Sequence, residues 1–253
     1  MNITKKELTP AGIIRAALEA RSDSLAALLR EDARRFIAEV ALEVGRRPEL
    51  HGCSPESIVA SAFVAAQLQL GIGPWGIWLV PFKDRCTPVT DYRALISLAV
   101  RDGLALDISA GVAHGSDLVD FEEGTNAYLR IRKGEGSGSR ADFQYAWALA
   151  TMRGGVKKFI VLDAEDIQRR RAKSRSGDKG PWATDFDAMA RKTAVRELVN
   201  LLPRGRAGLV QQAIAAEDAE EPGEVQEVQD PTKGIAGAKA AVQRALEATS
   251  QGE

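Results

Sequence analysis

The chain has 253 residues and a net charge of −1, so it is long enough to bury a core without disulfides or metals. Only Cys53 and Cys86 are present, in different predicted elements, so the sequence indicates neither a disulfide framework nor a metal knuckle, and two free thiols are expected. No apolar run approaches the roughly 18 residues of a membrane span, and the first residues lack a secretory signal, so we expect a cytoplasmic protein without membrane contact.

Three helices are predicted in the first part of the chain, because apolar residues recur there at helical spacing. The first and third begin at a Thr or Ser followed by Pro, a pair that favours a helix start. The first predicted helix begins at Thr9-Pro10, the second spans about 24–44, and the third runs from Ser54-Pro55 to Leu70.

After Gly71 the apolar pattern changes to alternation, which predicts strands. One short helix, capped by Asp91, interrupts them, and Asp163 begins a later helix. Arg153-Gly154-Gly155 is predicted to join the last two strands as a hairpin. The predicted strands are 77–82, 104–112, 117–121, 127–132, 143–152 and 156–162. This order predicts an α+β fold with N-terminal helices, a central antiparallel β-meander and further helices.

Positive charge is concentrated at 153–206, which holds fourteen Lys and Arg against seven Asp and Glu. The segment contains a basic cluster at 169–175 and a basic amphipathic helix with Lys192 and Arg196 one turn apart. The tail, 207–253, holds three basic residues against nine acidic ones. A nearly neutral chain that separates its charge in this way is expected to present a basic face to an anionic partner, and nucleic acid is the first candidate.

Trp182, at a Pro-Trp step before the basic helix, has two interpretations. Aromatic side chains stack on unpaired bases, which would make it a DNA contact. An apolar residue at a turn that enters an amphipathic helix also fixes the helix from the core. The core role is favoured, and a thermal melt of Trp182→Ala separates the two.

Motifs for catalysis are weak. The run Gly71-Ile72-Gly73-Pro74-Trp75-Gly76 has dinucleotide-site spacing, but a predicted helix precedes it and a strand follows, the reverse of the required order. There is no Walker-type phosphate loop, and two histidines are too few for a zinc site or an obvious triad. A metal-dependent nuclease remains the alternative hypothesis, and its acids would be Asp117, Asp120, Glu122 and Glu123.

A series of short motifs occurs in order over about residues 30–205. They are Arg35-Phe36-Ile37, Ser54-Pro55-Glu56-Ser57, Ala65-Ala66-Gln67-Leu68-Gln69-Leu70-Gly71, Leu79-Val80-Pro81-Phe82, Asp91-Tyr92-Arg93-Ala94-Leu95-Ile96, Ala99-Val100-Arg101-Asp102-Gly103, Ser174 with Pro181-Trp182, and Met189-Ala190-Arg191-Lys192-Thr193 with Leu202-Pro203. The set resembles the RecT family of bacteriophage single-strand annealing recombinases. That family usually has Gly-Tyr-Lys-Gly at Asp91-Tyr92-Arg93-Ala94, and Arg93 keeps the positive charge.

The resemblance implies a non-enzymatic protein that binds single-stranded DNA and pairs complementary strands without ATP. It implies a helical filament or ring of identical subunits whose basic groove holds the single strand and the annealed duplex. The implied partners are a phage exonuclease and a host single-strand binding protein, in the cytoplasm of a bacterial host. No cofactor is expected to be required, with magnesium only as an aid to annealing.

Four regions are predicted: an N-terminal helical region at 1–50 for subunit contacts and DNA holding, an annealing core at 51–206, an acidic disordered linker at 207–230, and a short C-terminal helix at 231–253 for partner docking. The acidic tail is expected to be dispensable for DNA binding; it either recruits proteins or competes for the basic groove. The residues predicted to contact DNA are Lys83, Arg85, Tyr92, Arg93, Arg101, Arg169, Arg170, Arg171, Lys173, Arg175, Lys179, Trp182, Arg191, Lys192 and Arg196.

Overall fold

The computed structural model describes residues 9–135, 140–174, 180–203, 205 and 208–218. The helices are α1 Pro10–Glu19, α2 Ser22–Leu29, α3 Ala33–Arg46, α4 Pro55–Gln67, α5 Tyr92–Arg101, α6 Ala164–Lys173, α7 Pro181–Thr184, α8 Phe186–Leu201 and α9 Leu209–Asp218. The strands are β1 Ile77–Phe82, β2 Arg85–Thr90, β3 Asp107–His114, β4 Leu118–Glu122, β5 Tyr128–Arg132, β6 Phe143–Thr151 and β7 Lys157–Asp163. The predicted α+β class is confirmed. Within the described ranges, no helix is both long enough and apolar enough to cross a bilayer.

Side-chain caps at helix starts explain why the local predictions succeed. Thr9 Oγ1 accepts a hydrogen bond from Gly12 N at 3.2 Å, and Ser54 Oγ accepts one from Ser57 N at 3.3 Å. Asp163 forms a capping box at the start of α6. Each cap pairs a backbone N–H that the first turn leaves without a helical partner.

The prediction of a single helix at 24–44 is wrong, because the chain forms two helices there, α2 and α3. A 3₁₀ turn at Arg30–Asp32 separates them, and Arg30 has a φ of 55°. Neither Gly nor Pro occurs at the break, so the sequence carries no ordinary sign of it.

The strands form three antiparallel groups rather than the predicted central meander: β1–β2, β3–β6–β7 and β4–β5. The β4–β5 hairpin is inserted between β3 and its partner β6. β2 is not predicted, although Thr87 and Thr90 in it are buried. The predicted hairpin at Arg153-Gly154-Gly155 is confirmed, since it joins the paired strands β6 and β7.

Helix α8 lies against all three strands of the β3–β6–β7 sheet and against α5. Its buried face includes the small residues Ala190 and Ala194, which allow a close approach, together with the larger Phe186, Val195, Leu198 and Val199. Helix α9 packs on β2 and α5 and buries Val210 and Ala213. The linker predicted at 207–230 is therefore wrong for 209–218, and the predicted C-terminal helix lies outside the described residues.

Candidate nucleic-acid interface

Two arginines from distant parts of the chain converge on one phenol. Tyr92 and Arg93 open α5, whereas Arg191 comes from α8. The Tyr92 hydroxyl oxygen accepts hydrogen bonds from Arg93 Nε at 3.3 Å and from Arg191 Nη1 at 3.4 Å. The two guanidinium carbons lie 5.3 and 5.8 Å from the centroid of the Tyr92 ring, within cation–π range.

This arrangement changes the proton affinity of the phenol. Burial raises the pKa of Tyr92, but hydrogen bonds and charge from Arg191 and Arg93 outweigh it, so the pKa is lowered. The hydrogen bond to Tyr92 raises the pKa of Arg93. Guanidinium groups carry a permanent positive charge in proteins, so Arg93 and Arg191 place two cations on this surface. The chemistry suits a phosphate group.

Trp75 extends the same surface. Its indole is 63% exposed, and the Arg93 guanidinium carbon lies 5.0 Å from its ring centroid. Trp75, Tyr92, Arg93 and Arg191 are called the Tyr92 cluster below. The last three are among the residues predicted to contact DNA, whereas Trp75 is not, although an aromatic residue inside a Gly-rich turn is visible in the sequence.

The turn that carries Trp75 is held tightly against α5. Ile77 N donates to Gly71 O at 2.9 Å, and a Cβ on Gly76 would lie 2.0 Å from that same oxygen, so only glycine fits there. Asp91 N donates to Gly76 O at 3.0 Å. The Asp91 carboxylate caps α5 by accepting from Arg93 N at 2.8 Å, which accounts for an acid at this place in the motif.

Lys192 and Arg196 face α9 rather than an open groove. Lys192 Nζ lies 2.7 Å from Glu217 Oε1, and the two side chains are 15% and 16% exposed. Arg196 pairs with Glu217 at 3.6 Å and also with Asp218. Their DNA-contact role stays a prediction, and a phosphate that pairs with them would compete with the carboxylates of Glu217 and Asp218.

The predicted basic cluster on α6 is partly neutralised by neighbouring acids. Arg169 pairs with Asp166 on its own helix. Arg170 Nη1 lies 2.8 Å from Glu197 Oε1, which ties α6 to α8. The rest of this predicted set has mixed placement: Arg171 is half-buried, Lys173 is exposed, and Arg175 and Lys179 lie outside the described residues.

Four other predicted contacts differ in their placement. Arg101 donates to the carbonyls of Leu68 and Gln69, at the C-terminal end of α4, so its side chain closes a helix end. Lys83 and Arg85 are exposed around the β1–β2 turn. A correction concerns Trp182, which is 2% exposed and packs on Phe186, with ring centroids 5.9 Å apart. It is a core residue, as the favoured interpretation held.

Two acids of the nuclease hypothesis, Asp117 and Asp120, have structural partners, and Glu122 and Glu123 are exposed. Asp117 accepts from Lys133 Nζ at 2.6 Å and from the backbone of Gly134 and His114, and these bonds hold the pKa of its carboxyl far below the usual range. Asp120 accepts from the Tyr128 hydroxyl at 2.8 Å. Across the described part of the chain, no three His, Cys, Asp or Glu side chains gather as metal ligands do.

Comparison with known proteins agrees with the motifs. The RecT family matches residues 34–233. Protein RecT of Escherichia coli (strain K12) is 32% identical over 181 residues, covering 68% of this chain and 66% of that protein. The uncharacterized protein YqaK of Bacillus subtilis (strain 168) is 27% identical over 176 residues, covering 68% of this chain and 60% of that protein. The chain thus spans slightly less than two thirds of either relative, and the family match extends beyond the predicted limit at 205 to include α9. The chain belongs to the RecT family.

Proposed function

We propose that the protein binds single-stranded DNA and anneals complementary strands without ATP, in homologous recombination. The observation that carries the proposal is the Tyr92 cluster, where two guanidinium groups and two aromatic rings share one surface. Cations neutralise phosphates and aromatic rings stack on bases, which are the two needs of a sequence-independent single-strand binder. The family match supports the same function.

The proposed mechanism makes and breaks no covalent bond. Two complementary strands repel each other through their phosphates, and guanidinium groups on the protein reduce that repulsion by releasing counterions. Contacts through phosphates leave the base edges open, so a second strand can be tested for pairing. Neither a nucleotide nor another cofactor is required, and magnesium acts only as an aid to pairing.

One cluster touches few nucleotides, so stable pairing calls for several subunits along one strand. We therefore assign the protein to a homo-oligomer, a filament or a ring, with residues 1–50 in subunit contacts. A phage exonuclease would supply the single strand, and a host single-strand binding protein would cover it first. These events belong in the cytoplasm of a bacterial host, and residues 231–253 are proposed to dock a partner.

Purified protein mixed with two complementary oligonucleotides is expected to produce duplex in the absence of ATP. Native gels measure the duplex, and electron microscopy shows whether oligomers accompany it. Affinity for the single strand is expected to fall steeply with salt, because several counterions are released together. Duplex that forms only after ATP is added would overturn the proposal, and cleaved strands in the presence of magnesium would restore the nuclease hypothesis.

Arg93→Ala and Arg191→Ala are each expected to weaken single-strand binding, because each removes a charge of the Tyr92 cluster. The slope of log affinity against log salt should fall by about one phosphate contact per variant. Fluorescence anisotropy across a salt series measures both quantities. The matched control is Arg130→Ala, since Arg130 also lies over a tyrosine, 6.0 Å from the Tyr128 ring centroid, but outside the cluster. Equal slopes for all three variants and the parent would contradict the assignment.

A further inference from the structure

We propose that Trp75 is a stacking platform for one unpaired nucleobase, with Arg93 fixing the ring from the opposite side. The inference rests on the proposed function and names a contact within it. Three independent features of Trp75 carry it: exposure, backbone conformation and the placement of neighbouring charge.

The exposure of Trp75 is unusual for its side chain. At 63%, its exposure exceeds that of the other exposed aromatics in the described residues, Tyr128 at 40% and Phe121 at 38%. By contrast, Trp182 is 2% exposed, and Trp78 and Trp147 are half-buried. An indole presents one of the largest apolar faces available to a side chain, and leaving it in water forgoes the stabilisation that burial would bring. A ligand that covers the ring recovers this stabilisation.

The backbone at Trp75 is strained as well. Its φ is 65°, in the left-handed region that residues with a Cβ rarely adopt, and the turn around it already contains Gly73 and Gly76. Glycine at position 75 would relieve this strain, whereas Trp retains it. Strain of this kind persists where the surrounding structure enforces it, and it clusters at binding sites. Here the hydrogen bonds within the turn, and the one from Asp91 N to Gly76 O at the start of α5, enforce it.

Arg93 sets the orientation of the ring. Its guanidinium carbon lies 5.0 Å from the indole centroid, and its Nε is also bonded to the Tyr92 hydroxyl. The order Trp75, Arg93, Tyr92, Arg191 therefore alternates ring and cation. Since Trp75 stays 63% exposed with Arg93 in place, most of the indole surface remains open to a flat ligand.

The adjacent charge favours a nucleotide over an apolar protein surface. A base that stacks on Trp75 brings its own phosphate, which the Arg93 and Arg191 guanidinium groups can pair. An apolar patch on another subunit would instead bury these cations without supplying an anion to pair them, at a high desolvation cost. The charge complementarity selects an unpaired base of single-stranded DNA.

Trp75→Ala and Trp75→Phe form the decisive pair, because both keep the strained backbone and only the second keeps a ring. Each variant is titrated with an oligothymidylate and with an oligomer of equal length that carries abasic sites. Trp75→Ala should bind the oligothymidylate about 5- to 100-fold more weakly than the parent, and Trp75→Phe within about 3-fold. On the abasic oligomer all three proteins should bind alike. The parent's tryptophan fluorescence should also be quenched by oligothymidylate, and Trp75→Phe should lose that quench while bound.

Each contrary outcome has one meaning. If the parent protein binds no single-stranded DNA, the proposed function itself is contradicted. If the parent binds the single strand and Trp75→Ala binds oligothymidylate equally well, the stacking role alone is overturned. If Trp75→Ala loses affinity equally for the abasic DNA, Trp75 serves only to hold the turn. If sedimentation shows that the variant no longer forms protein oligomers while its DNA affinity is unchanged, Trp75 is a subunit contact. Either result overturns the inference. If Trp75→Ala does not fold, Trp75→Gly removes the ring and the strain together and is judged by the same titrations.

Discussion

Trp182→Ala is expected to lower the free energy of unfolding by about 3–5 kcal/mol, the usual cost of truncating a buried Trp. The ring lies in a row of aromatic contacts that runs from α7 into the sheet. Phe186 contacts Trp182 and also packs edge-on against Phe143 at 5.1 Å, and Phe143 in turn contacts His114 at 5.9 Å. Removing the indole therefore opens a cavity between α7, α8 and β6.

Chemical denaturation followed by circular dichroism measures this loss. Trp182→Phe is the matched control, because it keeps an aromatic ring and should recover most of the stability. Trp75→Ala provides the surface comparison, since it deletes the same side chain where 63% of it is exposed. Weaker DNA binding by Trp182→Ala with an unchanged denaturation midpoint would mean that Trp182 contacts DNA after all.

Ending the chain after Asp218 should leave both folding and DNA binding unchanged, whereas ending it after Arg206 should lower stability by about 3–5 kcal/mol. Helix α9 is fixed at both ends. Leu209 N donates to the buried Asp102 carboxylate at 3.1 Å, and Glu217 pairs with Lys192 and Arg196 at the other end. Without α9, Lys192 loses the Glu217 carboxylate and the apolar surface under Val210 opens to water.

The two truncations should be compared by thermal melt and by single-strand titration. Glu217→Gln is the matched point variant, because it keeps α9 and removes only the charge that faces Lys192. Tighter DNA binding by Glu217→Gln would mean that α9 competes with DNA for Lys192 and Arg196. A chain ending after Arg206 that melts like the parent would contradict the structural role of α9.

Local features of the fold could be predicted from the sequence, because their causes lie within a few residues. Thr9, Ser54, Asp91 and Asp163 each bond a backbone N–H two or three positions ahead, so the pattern is visible along the chain. The break at Arg30 has no such sign, because an arginine with positive φ looks like any other arginine in a sequence.

The candidate interface could be predicted only in part, because ion pairing depends on distant residues. Counting charges places Lys192 in a basic segment, but its partner Glu217 lies 25 residues further along the chain. The same limit hides the meeting of Arg191 with Tyr92 across 99 residues. Composition reports how much charge a segment carries, and the fold decides how much of it remains unpaired.

The Tyr92 cluster takes its members from three separate segments: a turn before β1, the start of α5 and the middle of α8. The unfolded chain does not hold these groups together, so the cluster exists only in the native state. A strand that binds there is by mass action a ligand of the folded form alone, and it raises the free energy of unfolding by RT ln(1 + L/Kd), where L is the free strand concentration. Under the proposed function, we therefore expect protein loaded on single-stranded DNA to resist unfolding more than the free subunit does.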